Sequence, residues 1–432
     1  MRRFIISVIC AACGLSVQAQ KKIYIPEDLR GMDLQADTSR WSFKRSIETD
    51  DLILMWERGF GNDVSNPPLL EGKPMSFNLG NLKNRVQSFY TFFRDTLAFS
   101  KPGSKCDRYK MMVMVNYSLD GTAYGGTYDN FIGALWVAPN RIQDEKMNCM
   151  AHELGHSFQL QIPADSVGDA WGGSGFFEMT SQWMLWQVNP DWLIDENYHF
   201  EAFKQLTHKA YLHLDNIYHS PYVIQWWSDL HGRKSIAELY RQGRIGEDPV
   251  MTYKRLYSLS QQQFCDEMFR GYQHLVNFDF KHARKETRQY ACTFNTELEV
   301  LSNLQFDSRG YKDLQSAKPY YRPKDYPEEY GFNAILLDDM VDLHASAFSL
   351  QLKGDELRYG FVGITTDDEE LYSEVNATRF TLPEGKTLRH LYLIVMGAPM
   401  QHYRIPMPTE SSEMPSLKQF PYAFRLASMH KG

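Results

Sequence analysis

The run Ala151-His152-Glu153-Leu154-Gly155-His156-Ser157-Phe158-Gln159 decides how the rest of this 432-residue chain is read. His152 and His156 stand four residues apart, with Glu153 directly after the first. On a helix, positions i and i+4 share a face about one turn apart, so both imidazoles can reach one metal ion. Zinc accepts neutral imidazole nitrogens, and a catalytic zinc site takes three protein ligands and leaves one position for water. Glu153 projects beside such an ion, where its carboxylate can accept a proton from that water. A chain with 13 histidines can carry this spacing by chance, so the flanking sequence has to supply the remaining parts.

Upstream, Leu79, Leu82, Val86, Phe89, Phe93 and Leu97 recur at intervals of three and four and predict an amphipathic helix, closed by Pro102 and Gly103. Apolar runs at 51–56, 109–115 and 131–137 predict buried strands, the last ended by Pro139. Between the second and third, residues 120–127 with Gly121, Gly125 and Gly126 read as turns. The helix carrying His152 is expected to start near Asp144, whose carboxylate suits a helix N-terminus.

Downstream, the stretch from Phe176 to Trp186 is apolar nearly all round and holds a single carboxylate, Glu178. An isolated ionised Glu among Phe176, Phe177, Trp183 and Trp186 is costly unless it is paired or binds a metal. Glu178 is therefore the expected third ligand; a place at the solvent-facing start of its helix is the alternative. From Asp191 to about Phe280 the chain reads as mainly helical and is dense in Tyr, His and Trp. Tyr211, His213, Tyr218, His219 and Tyr222 are candidate donors to a developing oxyanion, with Tyr218 and His219 preferred.

Beyond Cys292 the character changes. Pro319, Pro323 and Pro327 mark a Tyr-rich connector, followed by β-like runs at 347–352, 357–364, 378–382 and 388–396. Gly, Pro and acidic turns separate them, among them the solvated run 367–370. These runs predict a β-sandwich over 295–432.

Composition narrows the function classes. Hydrophobic residues at 43% and charged residues at 23% describe a soluble globular protein, and a formal charge of −7 argues against a nucleic-acid surface. Met1-Arg2-Arg3 and the apolar run from Phe4 to Val17 predict a signal peptide over 1–19, hence a secreted or periplasmic protein. The run falls short of the ~18 residues a membrane span needs, and no other transmembrane segment is visible. Cys10 disfavours lipoprotein anchoring through Cys13. Processing would leave Cys106, Cys149, Cys265 and Cys292, which permit two disulfides but suit unpaired buried thiols as well. Cys149, three residues before His152, is read as a buried thiol and not a metal ligand.

With Glu178 added, the chain resembles the gluzincin class of zinc metallopeptidases, which place His-Glu-x-x-His on one helix and a Glu ligand on the next. The run His152–Gln159 followed by Phe177-Glu178-Met179-Thr180-Ser181 is similar to motifs of enhancin-like, mucin-directed peptidases. Much of the chain, 25–290 and the β-rich tail, also resembles a secreted bacterial family of domains of unknown function. The resemblance implies an α+β zincin-like catalytic domain over 20–294, with a strand-and-helix half to about 160 and a mostly helical half after it. It implies Zn²⁺ on His152, His156 and Glu178, with Glu153 as general base. In such domains the strand just before the metal helix, here 131–137, often lies at the sheet edge, where an extended peptide could pair; an edge covered by a loop is the alternative. Many gluzincins carry an acidic residue four positions after the Glu ligand, steadying a zinc-bound His; Gln182 stands there. Gln159 and Ile162 stand where the metzincin extension has Gly and His. The implied function is a secreted zinc metallopeptidase hydrolysing extracellular proteins or glycoproteins. The alternative is a non-enzymatic glycan- or surface-binding protein with a vestigial or structural zinc site, working through its C-terminal domain.

Overall fold

Charge-free apolar runs become the centre of the first sheet. In the computed structural model, residues 20–168, 171, 175–281, 305–307, 320–323, 325–405 and 417–430 are described. A one-turn helix α1 (Glu27–Arg30) precedes strands β1 (Ser46–Glu48) and β2 (Leu52–Trp56), and the long helix α2 (Leu79–Asp95) follows. Asn78 caps α2 by accepting the Asn81 amide at 2.9 Å. Strands β3 (Met111–Val115), β4 (Ala123–Tyr128) and β5 (Ile132–Val137) complete a sheet of order β1-β2-β3-β5-β4. The inner strands β2, β3 and β5 run parallel, and the edges β1 and β4 are antiparallel to them. Every residue of β2 and β3 is buried, as parallel strands covered on both faces require.

Two expectations for this half are corrected. Residues 123–128 form a strand and not a turn, and that strand holds the sheet edge; the 131–137 run lies inside, between β3 and β4. The cause is Gly125. A Cβ there would overlap the carbonyl of Glu153 and press on the Cβ of His156 at 2.9 Å, so the glycine lets a strand lie directly on a helix. That helix, α3 (Asn148–Ala164), begins four residues later than Asp144. Met147 takes a left-handed conformation at φ 56°, and Asp144 accepts the amides of Lys146 and Asn148 in the turn that leads in.

The helical half is as expected. Helix α4 (Gly175–Val188) packs on α3. It is followed by α5 (Trp192–Asp195), α6 (Tyr198–Leu206), α7 (Tyr222–His231), α8 (Lys234–Gln242), α9 (Pro249–Leu256) and α10 (Gln261–Leu275). The remaining strands are β6 (Gln305–Asp307), β7 (Tyr320–Arg322), β8 (Phe332–Leu336), β9 (Ala347–Lys353), β10 (Leu357–Thr365), β11 (Glu370–Tyr372), β12 (Arg379–Thr381), β13 (Leu388–Gly397) and β14 (Ala423–Met429). They form two antiparallel sheets, β11-β10-β13-β8 and β12-β9-β14-β7-β6. Alternation along β10 and β13 sends side chains two ways. Phe361, Leu391, Leu393 and Val395 meet Phe348, Leu350 and Phe424 of the other sheet in one apolar cluster. Val362, Tyr392, Ile394 and Met396 join the large core shared with the helices. Gln273 of α10 seals that contact by donating to the carbonyls of Phe361 and Ser373, both at 3.2 Å.

Cys106, Cys149 and Cys265 are free thiols. Cys292, the 1–19 segment and the 294/295 boundary lie outside the described residues. Among those residues, no helix is long and apolar enough to cross a membrane.

Candidate metal centre

Helices α3 and α4 bring three side chains to one point. Glu178 Oε2 lies 3.0 Å from His152 Nε2 and 3.1 Å from His156 Nε2, and the two Nε2 atoms are 3.1 Å apart. Among the described residues this is the single group of three or more His, Cys, Asp or Glu able to hold a metal ion. Gly155 permits the close packing, since a Cβ there would stand 2.6 Å from Ser181 Oγ. Ser181 in turn donates to the His152 carbonyl at 3.0 Å, tying α4 to α3.

The far nitrogens fix the chemistry of the near ones. His152 Nδ1 faces Gln182 Oε1 at 3.1 Å, and His156 Nδ1 faces Gln159 Oε1 at 3.0 Å. An amide oxygen only accepts, so each Nδ1 carries the proton and each Nε2 presents a lone pair. Two imidazole lone pairs and a carboxylate oxygen then converge, an arrangement that needs positive charge at its centre. Burial opposes ionisation, yet the hydrogen bonds and charge of Glu178 raise the His156 pKa, and the two imidazoles hold the Glu178 carboxyl well below its ordinary range. A proton can meet the need in the metal-free protein. The donor set of two imidazoles and one carboxylate, with tautomers already chosen, fits a zinc ion.

Glu153 stays outside this group of three. Its Oε2 accepts the amide of Gly125 at 2.7 Å, so the carboxylate is pinned to edge strand β4. Of the other candidates, Tyr218 has its ring centroid 6.2 Å from that of His152, and its carbonyl accepts Gln182 Nε2 at 3.0 Å. His219 pairs with His199, Nδ1 to Nδ1 at 2.9 Å. Tyr211 and Tyr222 are buried in the aromatic core of the helical half. His213 caps the turn at Leu214–Asn216. Sequence reasoning gave Gln159 and Gly125 no supporting role, and it read Gln182 only as the place where an acidic residue is missing. Gln159 sits three residues after His156 on the same helix, a spacing that brings side chains together.

Residues 15–431 match the model of a family of unknown function, DUF6055. The chain belongs to the DUF6055 family. No curated protein sequence matches it. Solved structures with a partial likeness to this DUF6055 chain include the following. One is a ZmpB metallopeptidase from Clostridium perfringens, with 12% identity and a TM-score of 0.32, over 83% of this chain and 67% of that one. Another is the M60 catalytic domain of Clostridium perfringens ZmpC, solved in complex with the sialyl T antigen, at 11% identity and TM-score 0.31 over the same shares. The third is a functionally unknown conserved protein, in mutant form, from Bacillus anthracis str. Ames. It has 13% identity and TM-score 0.34, over 60% of this chain and 52% of that one.

His219 should give this DUF6055 member a pH-dependent stability. Burial, and then the neighbouring His199, push the His219 pKa down to about 4. The unfolded chain titrates at its ordinary value near ~6.5, so between those values it binds more protons than the folded one. The stabilisation is therefore complete above about pH 6.5 and is lost as pH falls towards 4. Denaturant unfolding of chelator-treated protein across that window should show this loss, and His219→Asn should reduce it, leaving the share of His208 and His213, whose pKa values burial also lowers. An equal pH slope in both proteins would show that His219 is not the source.

Proposed function

We propose that the chain is an exported zinc-dependent peptidase of the gluzincin type, acting on extracellular proteins or glycoproteins. The observation that carries this reading is the separation of roles at one point. His152, His156 and Glu178 converge on one point, while the Glu153 carboxylate is held on a strand edge beside them. A purely structural site has no use for that carboxylate.

Zinc held by the three ligands would supply Lewis-acid chemistry, polarising an acyl oxygen and acidifying water. Glu153 would take the proton from the attacking water and pass it to the leaving amine. Gly125 would hold that carboxylate in place throughout. Strand β4 pairs with β5 on one side. Its other side offers backbone groups to an extended peptide beside the base. Tyr218 is the oxyanion donor in this reading, because its ring stands 6.2 Å from that of His152 while His219 is committed to His199. The leader 1–19 would direct the chain to the periplasm or outside the cell. The catalytic part spans 20–294, and 295–432 forms a β-sandwich domain.

Incubating the purified protein with a mixed proteome and with a mucin, with and without chelator, tests the proposal. Cleavage that a chelator abolishes and zinc restores is the expected result. A zinc-loaded protein that cuts neither would favour the alternative, a glycan- or surface-binding protein working through residues 295–432.

A further inference from the structure

The two carboxamides behind the ligand histidines are not stand-ins for carboxylates. Gln182 is 3% exposed and uses both ends of its amide. Its Nε2 donates to the Tyr218 carbonyl at 3.0 Å and lies 3.3 Å from His199 Nε2. A carbonyl oxygen can only accept, so the NH₂ group must face Tyr218 and the oxygen must face His152. Gln159, fully buried, is oriented the same way: Nε2 donates to the Phe177 carbonyl at 3.0 Å, leaving Oε1 for His156. A glutamate at 182 could serve His152 with one oxygen. Its other oxygen would oppose the Tyr218 carbonyl, exchanging a hydrogen bond for repulsion in a buried place. The surroundings of residue 182 therefore select an amide.

We propose that Gln182 is a positioning residue with two simultaneous tasks. It locks His152 in the Nδ1–H tautomer, and through the same amide it keeps the Tyr218 segment in register with the metal ligands. Gln159 performs the first task for His156. The inference rests on the zinc reading given above and adds to it: neither amide contributes charge, so Glu178 alone among ligands and their partners offsets a divalent ion. The centre then gives up some affinity for greater electrophilicity.

Gln182→Leu and Gln182→Glu test this beside wild type, with Gln182→Met in reserve should the leucine variant not fold. The first readout is the zinc dissociation constant from chelator competition. The second is the His152 tautomer in metal-free protein at about pH 8, above the ordinary imidazole range, from isotope-labelled histidine spectra assigned with His152→Gln. Gln182→Leu should weaken zinc by roughly 10–100-fold and turn the His152 signal from Nδ1–H into a mixture. Gln182→Glu should fail to tighten zinc despite its added charge, and should melt at a lower temperature when metal-free. A glutamate variant that binds zinc more tightly with unchanged melting would overturn the proposal, as would an Nε2–H His152 in wild type. A wild type that takes up no zinc, yet shows the amide-dependent tautomer, would sink the zinc reading and leave the tautomer lock standing.

Discussion

Glu153→Gln is expected to keep its zinc and its fold while cleavage falls by roughly 10²–10⁴-fold, the usual loss when general-base assistance is removed. The substitution preserves size. Its amide oxygen can still accept the Gly125 amide, so the contact between α3 and β4 survives. What disappears is an oxygen basic enough to take a proton from water. Zinc content, thermal unfolding and cleavage of any substrate found by the screen should be measured on both proteins side by side. Undiminished cleavage by the variant would mean that another site or a contaminant cuts, and the mechanism argued above would fall.

His156→Ala should abolish stoichiometric zinc binding. Three ligands are the minimum of a catalytic zinc site, and two do not fix the ion. The loss should exceed the roughly 10–100-fold typical of removing an outer hydrogen-bond partner. In the metal-free protein the same change strips Glu178 of one of its two imidazole neighbours, which returns its carboxyl pKa towards the ordinary range. Elemental analysis after dialysis should find about one zinc per wild-type chain and close to none in the variant. Equal zinc in both would remove His156 from the ligand set.

The three converging side chains were legible because they obey local rules. His152 and His156 sit at helical spacing, and Glu178 is a lone carboxylate in an apolar run; both are facts of one short window. The long helix α2 and the apolar strands were legible for the same reason. The supporting residues were not. Gly125 looks like turn punctuation until α3 is placed against it, because close approach of two backbones leaves no mark in composition. Gln182 looks like a missing acid until the Tyr218 carbonyl, 36 residues away in sequence, is seen to require its NH₂ group. The start of α3 was misplaced because Met147 adopts a left-handed conformation that a methionine does not advertise. The apolar stretches 359–364 of β10 and 391–396 of β13 did carry a signal of burial on both faces, which a strand covered on one face alone would lack.

Gly125 has a mechanical consequence. With no side chain between strand and helix, β4 has little room to slide or tilt over α3, so the Glu153 carboxylate and the outer edge of β4 keep a fixed place relative to one another. The Tyr218 segment is tied to the same helix through the Gln182 amide, which links the two elements behind the His152 imidazole.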